Sequence, residues 1–335
     1  MTQKINIAIV GATGAVGQTV LSILQERNFP VNKLFLLASA RSAGKKIRFQ
    51  QDELIVQDIA TFDFSNVQLA FFAAGSDVAQ KYAPLAAEAG CTVIDKSSYY
   101  RYQPDIPLVI PEVNGDILKQ PNPRKIIAVP NCSTIQMLVA LKPIYDAVGI
   151  ERINVCTYQA VSGTGVTAVA ELIQQMQQWA NDEAITKEVY PHPIAGNVIP
   201  HIDSFLDNGY TKEEMKMVWE TQKIFADEKI KVNPTTVRVP VFYGHSEAVH
   251  IETKTKISAV DAVKLLENAP GIRVFGAAKD YPTPLTHAHN EDAVLVGRVR
   301  EDISHPRGLD LWIVGNNLRK GAALNAVQIA ERLII

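Results

Sequence analysis

The stretch Ile5-Asn6-Ile7-Ala8-Ile9-Val10-Gly11-Ala12-Thr13-Gly14-Ala15-Val16-Gly17 decides the fold of the first part of this chain. Its apolar first half is typical of a buried strand, and the glycines that follow permit a tight turn and a close approach of backbone to a pyrophosphate. A helix to about Arg27 comes next, so its N-terminus would face the phosphates. The spacing G-x-x-G-x-x-G between a strand and a helix predicts a dinucleotide site rather than an ordinary strand–helix loop.

The alternation after this stretch indicates the fold class. Strands are expected at residues 33–37, 68–73 and 92–95, with helices between them, and this predicts an α/β, doubly wound parallel sheet of the Rossmann type. An NAD-binding fold would be expected to carry an acid after its second strand for the ribose 2′-hydroxyl. Arg41 and Ser42 occur there instead. A cation beside a hydroxyl suits a 2′-phosphate, so NADP is the predicted cofactor, unless Arg41 is only a solvated loop charge.

Cys132 is the candidate nucleophile. An apolar run at 126–129 predicts a buried strand, Pro130 ends it, and helical periodicity begins just after Cys132. The cysteine therefore falls where a strand gives way to a helix, and the first free N–H groups and the positive end of the helix dipole point towards it. That environment favours the thiolate, which is the nucleophilic form. The alternative is a small cysteine buried in the core.

A histidine and an arginine are predicted to share one pocket. Arg238 lies on the polar face of a strand expected at 236–242, and His245 follows the turn at its end. A histidine is the natural acid–base partner of a thiolate, although a lone loop histidine can also be structural. Glu220 and Lys223 share one face of a predicted helix, where the alternative is an exposed ion pair of little energetic value.

Two other polar residues are weaker candidates when taken alone. Arg101 stands among hydroxyl-bearing side chains, where it could make a forked contact with a phosphate or a carboxylate or simply lie at the surface. Asn114 could belong to no more than a turn. His287 and His289 share one short loop without a third ligand at suitable spacing, so no metal site is predicted.

Composition limits the class of protein. The chain has 335 residues, 47% of them hydrophobic, and a formal net charge of −2; this is enough for a large core and suggests two domains. The near-neutral balance gives no electrostatic footprint for nucleic acid or an anionic membrane. Three cysteines without Cys-x-x-Cys spacing predict neither a disulfide framework nor a zinc site. The first apolar run is too short for a signal peptide or a membrane span, so a cytoplasmic protein is expected.

With these residues assembled, the sequence resembles the aspartate-semialdehyde dehydrogenase family along nearly its whole length, and its bacterial branch in particular. Several independent motifs occur in the family's order, which is stronger evidence than any one of them. The sequence departs from the family pattern at Tyr99-Tyr100, where a small residue and then an aromatic are expected. The matching motifs are the glycine loop 11–17, Arg101 after a serine pair, Pro130-Asn131-Cys132-Ser133-Thr134, Gln159, Glu220-x-x-Lys223, Arg238 seven residues before His245, and the ending 315–325.

The resemblance implies a role for each matched residue. Cys132 would form an acyl-thioester, His245 would act as general acid–base, and Gln159 would orient the acyl group. Arg238 would hold the substrate α-carboxylate and Glu220 its ammonium. The phosphate would lie among Arg101, Asn114 and Lys223, and the nucleotide along Gly11, Thr13, Gly14, Ala15, Val16, Arg41, Ser42, Ser162, Gly163 and Asn317.

The resemblance also implies an activity and a domain plan. The activity would be NADP-dependent reductive dephosphorylation of L-aspartyl 4-phosphate to the semialdehyde and phosphate, in biosynthesis of lysine, threonine and methionine. An NADP-binding domain at 1–130, completed by a C-terminal helix at 316–335, would accompany an α+β catalytic and dimerisation domain at 131–315 with a largely antiparallel sheet. A homodimer is expected. The alternatives are an enzyme like N-acetylglutamyl-phosphate reductase, which needs no ammonium ligand such as Glu220, and a non-catalytic NADP-binding sensor.

Overall fold

The computed structural model describes residues 4–276 and 279–334, which divide into two compact units. The first unit contains the described residues up to Asn131 and those from Ala322 onward; the second is Cys132–Gly321. Along the chain the elements are β1 Ile5–Val10, α1 Ala15–Glu26, β2 Val31–Ala38, β3 Lys46–Phe49, β4 Asp52–Asp58, β5 Leu69–Phe72, α2 Ser76–Glu88, β6 Thr92–Asp95, α3 Pro111–Asn114, β7 Ile126–Ala128, α4 Cys132–Val148, β8 Ile150–Gln159, α5 Val166–Ala180, α6 Lys212–Phe225, β9 Lys231–Arg238, β10 His245–Thr253, α7 Ala259–Glu267, β11 Ile272–Phe275, β12 Val294–Glu301, β13 Gly308–Gly315 and α8 Leu324–Ile334.

The first unit is built on a seven-stranded sheet in the order β3-β4-β2-β1-β5-β6-β7. Its pairs are parallel except for the β3–β4 hairpin at one edge. The strand order reverses at β1, which has β2 on one side and β5 on the other, and ligands bind at such switch points in doubly wound sheets. The Rossmann-type sheet predicted from the sequence is confirmed.

Close packing requires glycine at two positions of the glycine loop 11–17 after β1, Gly11 and Gly17. Gly11 has φ +83°, and a Cβ there would lie 2.7 Å from the carbonyl oxygen of Ala73. A Cβ at Gly17 would lie 2.3 Å from the carbonyl oxygen of Gly11. Neither position has room for a side chain, so the loop lies against β5 and α1 starts close to the sheet.

The second unit is built on a six-stranded sheet in the order β11-β12-β13-β10-β8-β9. The inner pairs are antiparallel, whereas the outer pairs β11–β12 and β8–β9 are parallel. Helix α4 packs against β10 and β13. The largely antiparallel second sheet predicted from the sequence is therefore confirmed.

The strand that carries Arg238 differs from the prediction. It was expected at 236–242, but β9 begins at Lys231 and ends at Arg238. Pro240 lacks the N–H that a ladder would need, and Val241 instead donates its N–H to the carbonyl of Val239 in a tight turn. As a result Arg238 stands at the end of a strand rather than in its middle.

The C-terminal helix belongs to the first unit. A π-helix at Arg319–Ala323 precedes α8, and α8 packs against α1. Arg27 donates from Nε and Nη2 to the two carboxylate oxygens of Glu331 at 2.7 and 2.8 Å. The sequence predicts this return of the last helix, because its apolar face needs a partner. Nowhere in residues 4–276 and 279–334 is a helix long and apolar enough to cross a membrane.

Candidate active site

Cys132 is the first residue of α4, at the junction of strand and helix that the sequence predicts. Its side chain is partly exposed, while the next two residues of the helix, Ser133 and Thr134, are fully buried. Gly321 lies directly against it: a Cβ at Gly321 would be 2.8 Å from the Cβ of Cys132. By contrast, burial raises the pKa of the Cys91 thiol to about 12. Position and access therefore single out Cys132 over Cys91 as a nucleophile.

The backbone of Ala160 joins the predicted histidine and arginine. Its N–H donates to Nδ1 of His245 at 3.0 Å, and its carbonyl accepts from Nη1 of Arg238 at 2.7 Å. Both side chains are buried, yet both reach an exposed glycine: a Cβ at Gly163 would be 3.0 Å from Nη1 of Arg238 and 3.4 Å from Nε2 of His245. The convergence of Arg238 and His245 expected from the sequence is present in the second unit.

The Ala160 hydrogen bond determines which ring nitrogen of His245 can hold a proton. Nδ1 accepts the peptide N–H, so the neutral ring carries its proton on Nε2. Nε2 is a buried atom, and it is the ring nitrogen nearer to the exposed Gly163. In this tautomer the ring presents a hydrogen-bond donor to the site.

Three residues predicted to contact the nucleotide lie in this same region. The Asn317 amide oxygen accepts from the backbone N–H of Gly244 at 2.9 Å, and its Nδ2 donates to Oγ of Ser162 at 3.0 Å. Asn317 thus joins the turn before His245 to the short helix that contains Gly163. Ser162, Gly163 and Asn317 all stand beside the histidine and belong to the second unit.

Glu220 is not part of an exposed ion pair. It is fully buried on α6, which packs against β9, while Lys223 is half-buried one turn further along. The surface alternative considered for this pair is therefore wrong for Glu220. The helix buries more acids than its sequence pattern indicates, since Glu213 and Glu214 are buried as well.

Gln159 ends β8 beside Arg238 in the strand pairing. Its amide is held on both sides, because Oε1 accepts from the Thr157 hydroxyl at 2.9 Å and Nε2 donates to Glu213 at 3.1 Å. Lys216 in turn contacts Glu213 at 3.0 Å. Burial alone would lower the pKa of Lys216, but the negative charges of Glu213 and Asp203 outweigh burial and raise the pKa. Glu213 was not identified from the sequence as part of the site. The available signal was that Glu213 lies seven residues before Glu220 on the same helix.

The predicted phosphate ligands of the first unit are held by local bonds. Arg101 is buried and donates to the carbonyls of Ser97 and Lys96 at 3.1 and 2.9 Å. It also lies near Asp95, whose pKa is raised by burial. The Asn114 side-chain amide accepts a hydrogen bond from the N–H of Ile110 and donates one to the carbonyl of Leu108, both at 2.9 Å. These bonds fix both side chains, and they leave the second N–H of the Asn114 amide for another acceptor.

Tyr100, part of the departure at Tyr99-Tyr100, points into the first unit. It is buried and its hydroxyl donates to the carbonyl of Ala79 in α2 at 3.4 Å. Burial raises its pKa to about 12. Only Tyr99 is exposed, and the two rings meet edge to face.

A cavity of about 630 Å³ opens at the switch point of the first sheet. The glycine loop and the residues after β2 line it, and so do residues of α2 that the sequence did not indicate. Asp58 at the end of β4 also lines it; it stands beside the end of β2 because those strands are paired. The principal lining residues are Gly11, Thr13, Gly14, Arg41, Ser42, Asp58, Asp77, Lys81 and Tyr82.

This cavity fits a dinucleotide. The Gly11 backbone cannot carry a side chain without meeting Ala73, which leaves bare backbone at the start of the pocket. Helix α1 begins at Ala15 directly after it and continues through Val16, so its free N–H groups face the loop. In the part of the chain that the structure describes, no group of three or more His, Cys, Asp or Glu side chains is arranged to hold a metal ion.

Comparison with protein families matches both units. Residues 6–120 match the model described as "Semialdehyde dehydrogenase, NAD binding domain", and residues 141–320 match "Semialdehyde dehydrogenase, dimerisation domain". Among curated proteins, the chain is similar to the aspartate-semialdehyde dehydrogenase of Shewanella sp. (strain DB6705). The two are 58% identical over 334 residues, covering 100% of this chain and 99% of the relative.

Solved structures agree with these matches. The chain is similar to aspartate semialdehyde dehydrogenase II of Vibrio cholerae complexed with ASA, with a TM-score of 0.98, 58% identity and 99% of each chain covered. It is also similar to the enzyme of Candida albicans with NADP, with a TM-score of 0.79 and 26% identity over 99% of this chain and 100% of that one. These similarities extend over both units.

Proposed function

The chain belongs to the aspartate-semialdehyde dehydrogenase family, and from this premise we propose that Cys132 is its catalytic nucleophile. The family's reaction is a phosphorylating oxidation of an aldehyde with a nicotinamide cofactor. The N-acetylglutamyl-phosphate and sensor alternatives are not supported, since the curated matches over the full length are aspartate-semialdehyde dehydrogenases. The observation that carries the proposal is the placement of Cys132, which is partly exposed, at the first position of α4, in the same unit as His245 and Arg238.

The chemistry divides into acyl transfer and hydride transfer. The Cys132 thiolate attacks the acyl carbon of aspartyl phosphate, the C–O bond to phosphate breaks, and phosphate leaves a thioester behind. A bound nicotinamide dinucleotide supplies the hydride in this direction and accepts it in the reverse one. Hydride addition to the thioester leaves a thiohemiacetal oxyanion. When this oxyanion collapses, the C=O bond re-forms, the C–S bond breaks and its electron pair returns to Cys132 as thiolate, with no proton to remove. The α4 N-terminus stabilises that thiolate at the start and at the end.

His245 holds its proton at Nε2 and therefore acts first as a donor. A neutral imidazole N–H can stabilise the leaving thiolate and the oxyanion that forms on the carbonyl oxygen. To act as the general acid–base that the family resemblance implies, His245 would give this same Nε2 proton to the substrate and later take a proton back at Nε2. The Ala160 N–H keeps the ring oriented throughout.

Arg238 and Glu220 are proposed to read the two charges of the amino acid end. The Arg238 guanidinium is anchored at one nitrogen by the Ala160 carbonyl, and its Nε has no hydrogen-bond partner among the described residues. A buried donor of this kind suits the substrate α-carboxylate. Glu220 supplies a buried negative charge for the ammonium, and Lys223 on the same helix supplies a cation for the phosphate. In the first unit, Arg101 and Asn114 stay the phosphate ligands that the family resemblance predicts.

We further propose NADP as the preferred cofactor. Arg41 lines the cavity of the first unit and offers a cation for a 2′-phosphate, with Ser42 beside it. Asp58 lines the same cavity and could accept a ribose hydroxyl, which would favour NAD instead. One oxygen of Asp58 already accepts the N–H of Ala60, so Arg41 is the side chain whose charge is more readily available. Comparing kcat/KM for NADP with kcat/KM for NAD therefore tests the role of Arg41 directly.

The dimerisation-domain match and the three cysteines suggest the working state of the enzyme. We propose a homodimer formed through the second unit, as the name of the matching model implies. No disulfide joins Cys91, Cys132 and Cys156, and a nucleophilic thiol must stay reduced, so we propose action in the cytoplasm. The enzyme would serve amino-acid biosynthesis there.

The decisive experiment couples assay and labelling. Aspartate semialdehyde, phosphate and NADP or NAD are supplied to wild type, Cys132→Ala and Cys156→Ala, because Cys156 is the exposed cysteine that serves as a matched control. We expect loss of turnover in Cys132→Ala alone, with its thermal unfolding unchanged, and a higher kcat/KM with NADP. Substantial turnover in Cys132→Ala would reject the nucleophile, and equal kcat/KM with both dinucleotides would reject the NADP preference.

A further inference from the structure

Glu213 is a buried acid in contact with a residue of the candidate active site. It lies in the first turn of α6 and is 5% exposed. Glu220 follows about two helical turns later, so both acids project from the same face of α6, the helix that packs against β9. Oε1 of Glu213 accepts a hydrogen bond from Nε2 of Gln159 at 3.1 Å. The reaction steps above make no use of this contact.

Stabilisation of the helix start does not by itself account for Glu213. Acids in the first turn interact favourably with the helix dipole, and they can do so at the surface. The next residue, Glu214, completes the capping box, in which it accepts from the N–H of Thr211 at 2.7 Å. Burying another carboxylate is costly unless it is paired and hydrogen-bonded. The partners of Glu213 therefore indicate its role.

Lys216 supplies the counter-charge that keeps Glu213 a carboxylate. Its Nζ lies 3.0 Å from Oε2 of Glu213 and 2.7 Å from Oδ2 of Asp203. The helix dipole acts in the same direction, because Glu213 stands at the positive end of α6. A buried carboxylate with a cation beside it and hydrogen bonds to both oxygens can remain ionised. Glu213 therefore presents Gln159 with an acceptor and no donor.

This acceptor fixes the direction of the Gln159 amide. A side-chain amide can be turned end for end, which exchanges its C=O acceptor and its NH2 donor. The Thr157 hydroxyl, which donates to Oε1 of Gln159 at 2.9 Å, does not prevent this exchange, because a hydroxyl can accept as well as donate. A carboxylate only accepts, so Nε2 must face Glu213. One N–H of Nε2 is then engaged, and the other is left for another acceptor.

Gln159 belongs to the candidate active site. It ends β8 immediately before Ala160, whose backbone binds His245 and Arg238. We propose that Glu213 is a positioning residue, which as a carboxylate holds the Gln159 amide in the direction that offers an N–H to the acyl group of the substrate. This inference rests on the proposed function and on the role that the family resemblance implies for Gln159. Glu213 acts through Gln159 and does not touch the substrate.

Glu213→Gln should reverse the Gln159 amide with little change of volume. Lys216 can only donate, so the introduced amide must turn its oxygen to Lys216 and its NH2 to Gln159. Gln159 must then offer Oε1 to that NH2, and its own NH2 turns to the Thr157 hydroxyl. The substrate would meet a carbonyl oxygen where the wild-type enzyme offers an N–H. Because loss of one donor to a developing oxyanion costs about 100–1,000-fold, we expect kcat to fall at least about tenfold, with KM for phosphate and NADP unchanged.

Asp261→Asn is the matched control. Asp261 is also an acid in the first turn of a helix with a lysine three residues later, Lys264 at 2.9 Å, but it is exposed. We expect wild-type kcat in this control and a wild-type rate of Cys132 alkylation in Glu213→Gln. A Glu213→Gln enzyme with kcat within about threefold of wild type would overturn the proposal. Slower alkylation of Cys132 would overturn it as well, since Glu213 would then act on the nucleophile rather than through Gln159.

Two double variants test the path of the effect. In a Gln159→Leu enzyme, Glu213→Gln should add little to the loss of kcat, because both changes act on the same amide; full additivity would contradict the proposal. Lys216→Met, added to Glu213→Gln, removes the donor that turns the introduced amide and should recover part of the lost kcat. An absence of any recovery would show that Glu213 does not control the direction of the Gln159 amide.

Infrared spectroscopy tests the protonation state without relying on activity. Glu213→Gln should fold, because Asp203 still pairs with Lys216. The wild-type minus Glu213→Gln difference spectrum at neutral pH should contain carboxylate bands. The C=O band of a carboxylic acid in their place would overturn the proposal, because a neutral acid could donate to Oε1 of a reversed Gln159.

The nucleophile is tested separately by Cys132→Ala. An inactive Cys132→Ala beside a fully active Glu213→Gln rejects only the positioning role, whereas turnover in Cys132→Ala rejects the proposed function.

Discussion

Replacing Gly321 with alanine should move the nucleophile by steric contact alone, because the one polar atom beside the added Cβ, the carbonyl oxygen of Asn316, would lie at an ordinary van der Waals distance of 3.5 Å. The added Cβ would lie 2.8 Å from the Cβ of Cys132 and 3.3 Å from its Cα. Non-bonded carbon atoms are at their optimum near 3.5–4.0 Å, so one of the two must shift by roughly 0.7–1.2 Å. The neighbouring atoms are backbone and Cβ rather than a flexible tip, and the displacement therefore falls on the first turn of α4.

The size of the effect follows from that displacement. A misplacement of about 1 Å costs about 100-fold in rate, or roughly 2.7 kcal/mol of transition-state stabilisation. Overpacking of a filled site also costs about 1–3 kcal/mol of stability. We therefore expect Gly321→Ala to fold with a lowered Tm and to lose about 100-fold in kcat.

The assay is phosphate-dependent reduction of NADP by aspartate semialdehyde, with the rate of Cys132 alkylation measured in parallel. Gly276→Ala is the matched control, because apart from its two chain neighbours no atom of the described residues lies within 4 Å of its Cβ position, and Cys132→Ala sets the floor. A folded Gly321→Ala enzyme with kcat within about threefold of wild type would refute the reasoning that this contact fixes the nucleophile.

Three further predictions concern other parts of the molecule. Arg238→Lys should raise KM for the semialdehyde at least about tenfold, because a forked charged contact worth about 1.5–3 kcal/mol is lost; exposed Arg273→Lys is the control, and an unchanged KM would remove Arg238 from the substrate site. Arg41→Ala should lower kcat/KM for NADP about tenfold and leave that for NAD unchanged, whereas an equal loss with both would contradict a 2′-phosphate contact. Burial raises the pKa of the Cys91 thiol from 9.0 to about 12. Between these values the unfolded state loses a proton that the folded state keeps, so the free energy of unfolding falls as pH rises. Denaturant titrations over this range should show a steeper fall in that free energy for wild type than for Cys91→Ala, and parallel slopes for the two proteins would count against the buried neutral thiol.

Much of the site could be predicted because its signals are local. The strand, glycine turn and helix around Gly11 are consecutive, and the position of Cys132 follows from Pro130 and the helical period after it. His245 and Arg238 were predicted to converge because both stand near one turn. Their shared partner, Ala160, could not be foreseen, because a backbone peptide 85 positions from His245 leaves no mark in the residue types.

The misjudged features are those that depend on burial. Glu220 could be an exposed ion pair from its spacing, yet the structure buries it completely. Asp58 was missed because β4 pairs with β2 to bring it to the cavity, and pairing is a relation between strands distant along the chain. In the same way, nothing in the sequence shows that the Asn114 amide is held by its own turn.

The sequence by itself determined the two kinds of sheet and the strand–glycine turn–helix at the start of the chain, and it located the candidate nucleophile at the start of a helix, because periodicity, glycine spacing and helix termini act over a few neighbouring residues. Only the tertiary structure decided which acids are deprived of water, which nitrogen of His245 carries its proton and which glycines have no room for a side chain. Those properties depend on atoms that the fold brings together from distant parts of the chain, and both the dielectric environment and the steric fit are set by those atoms.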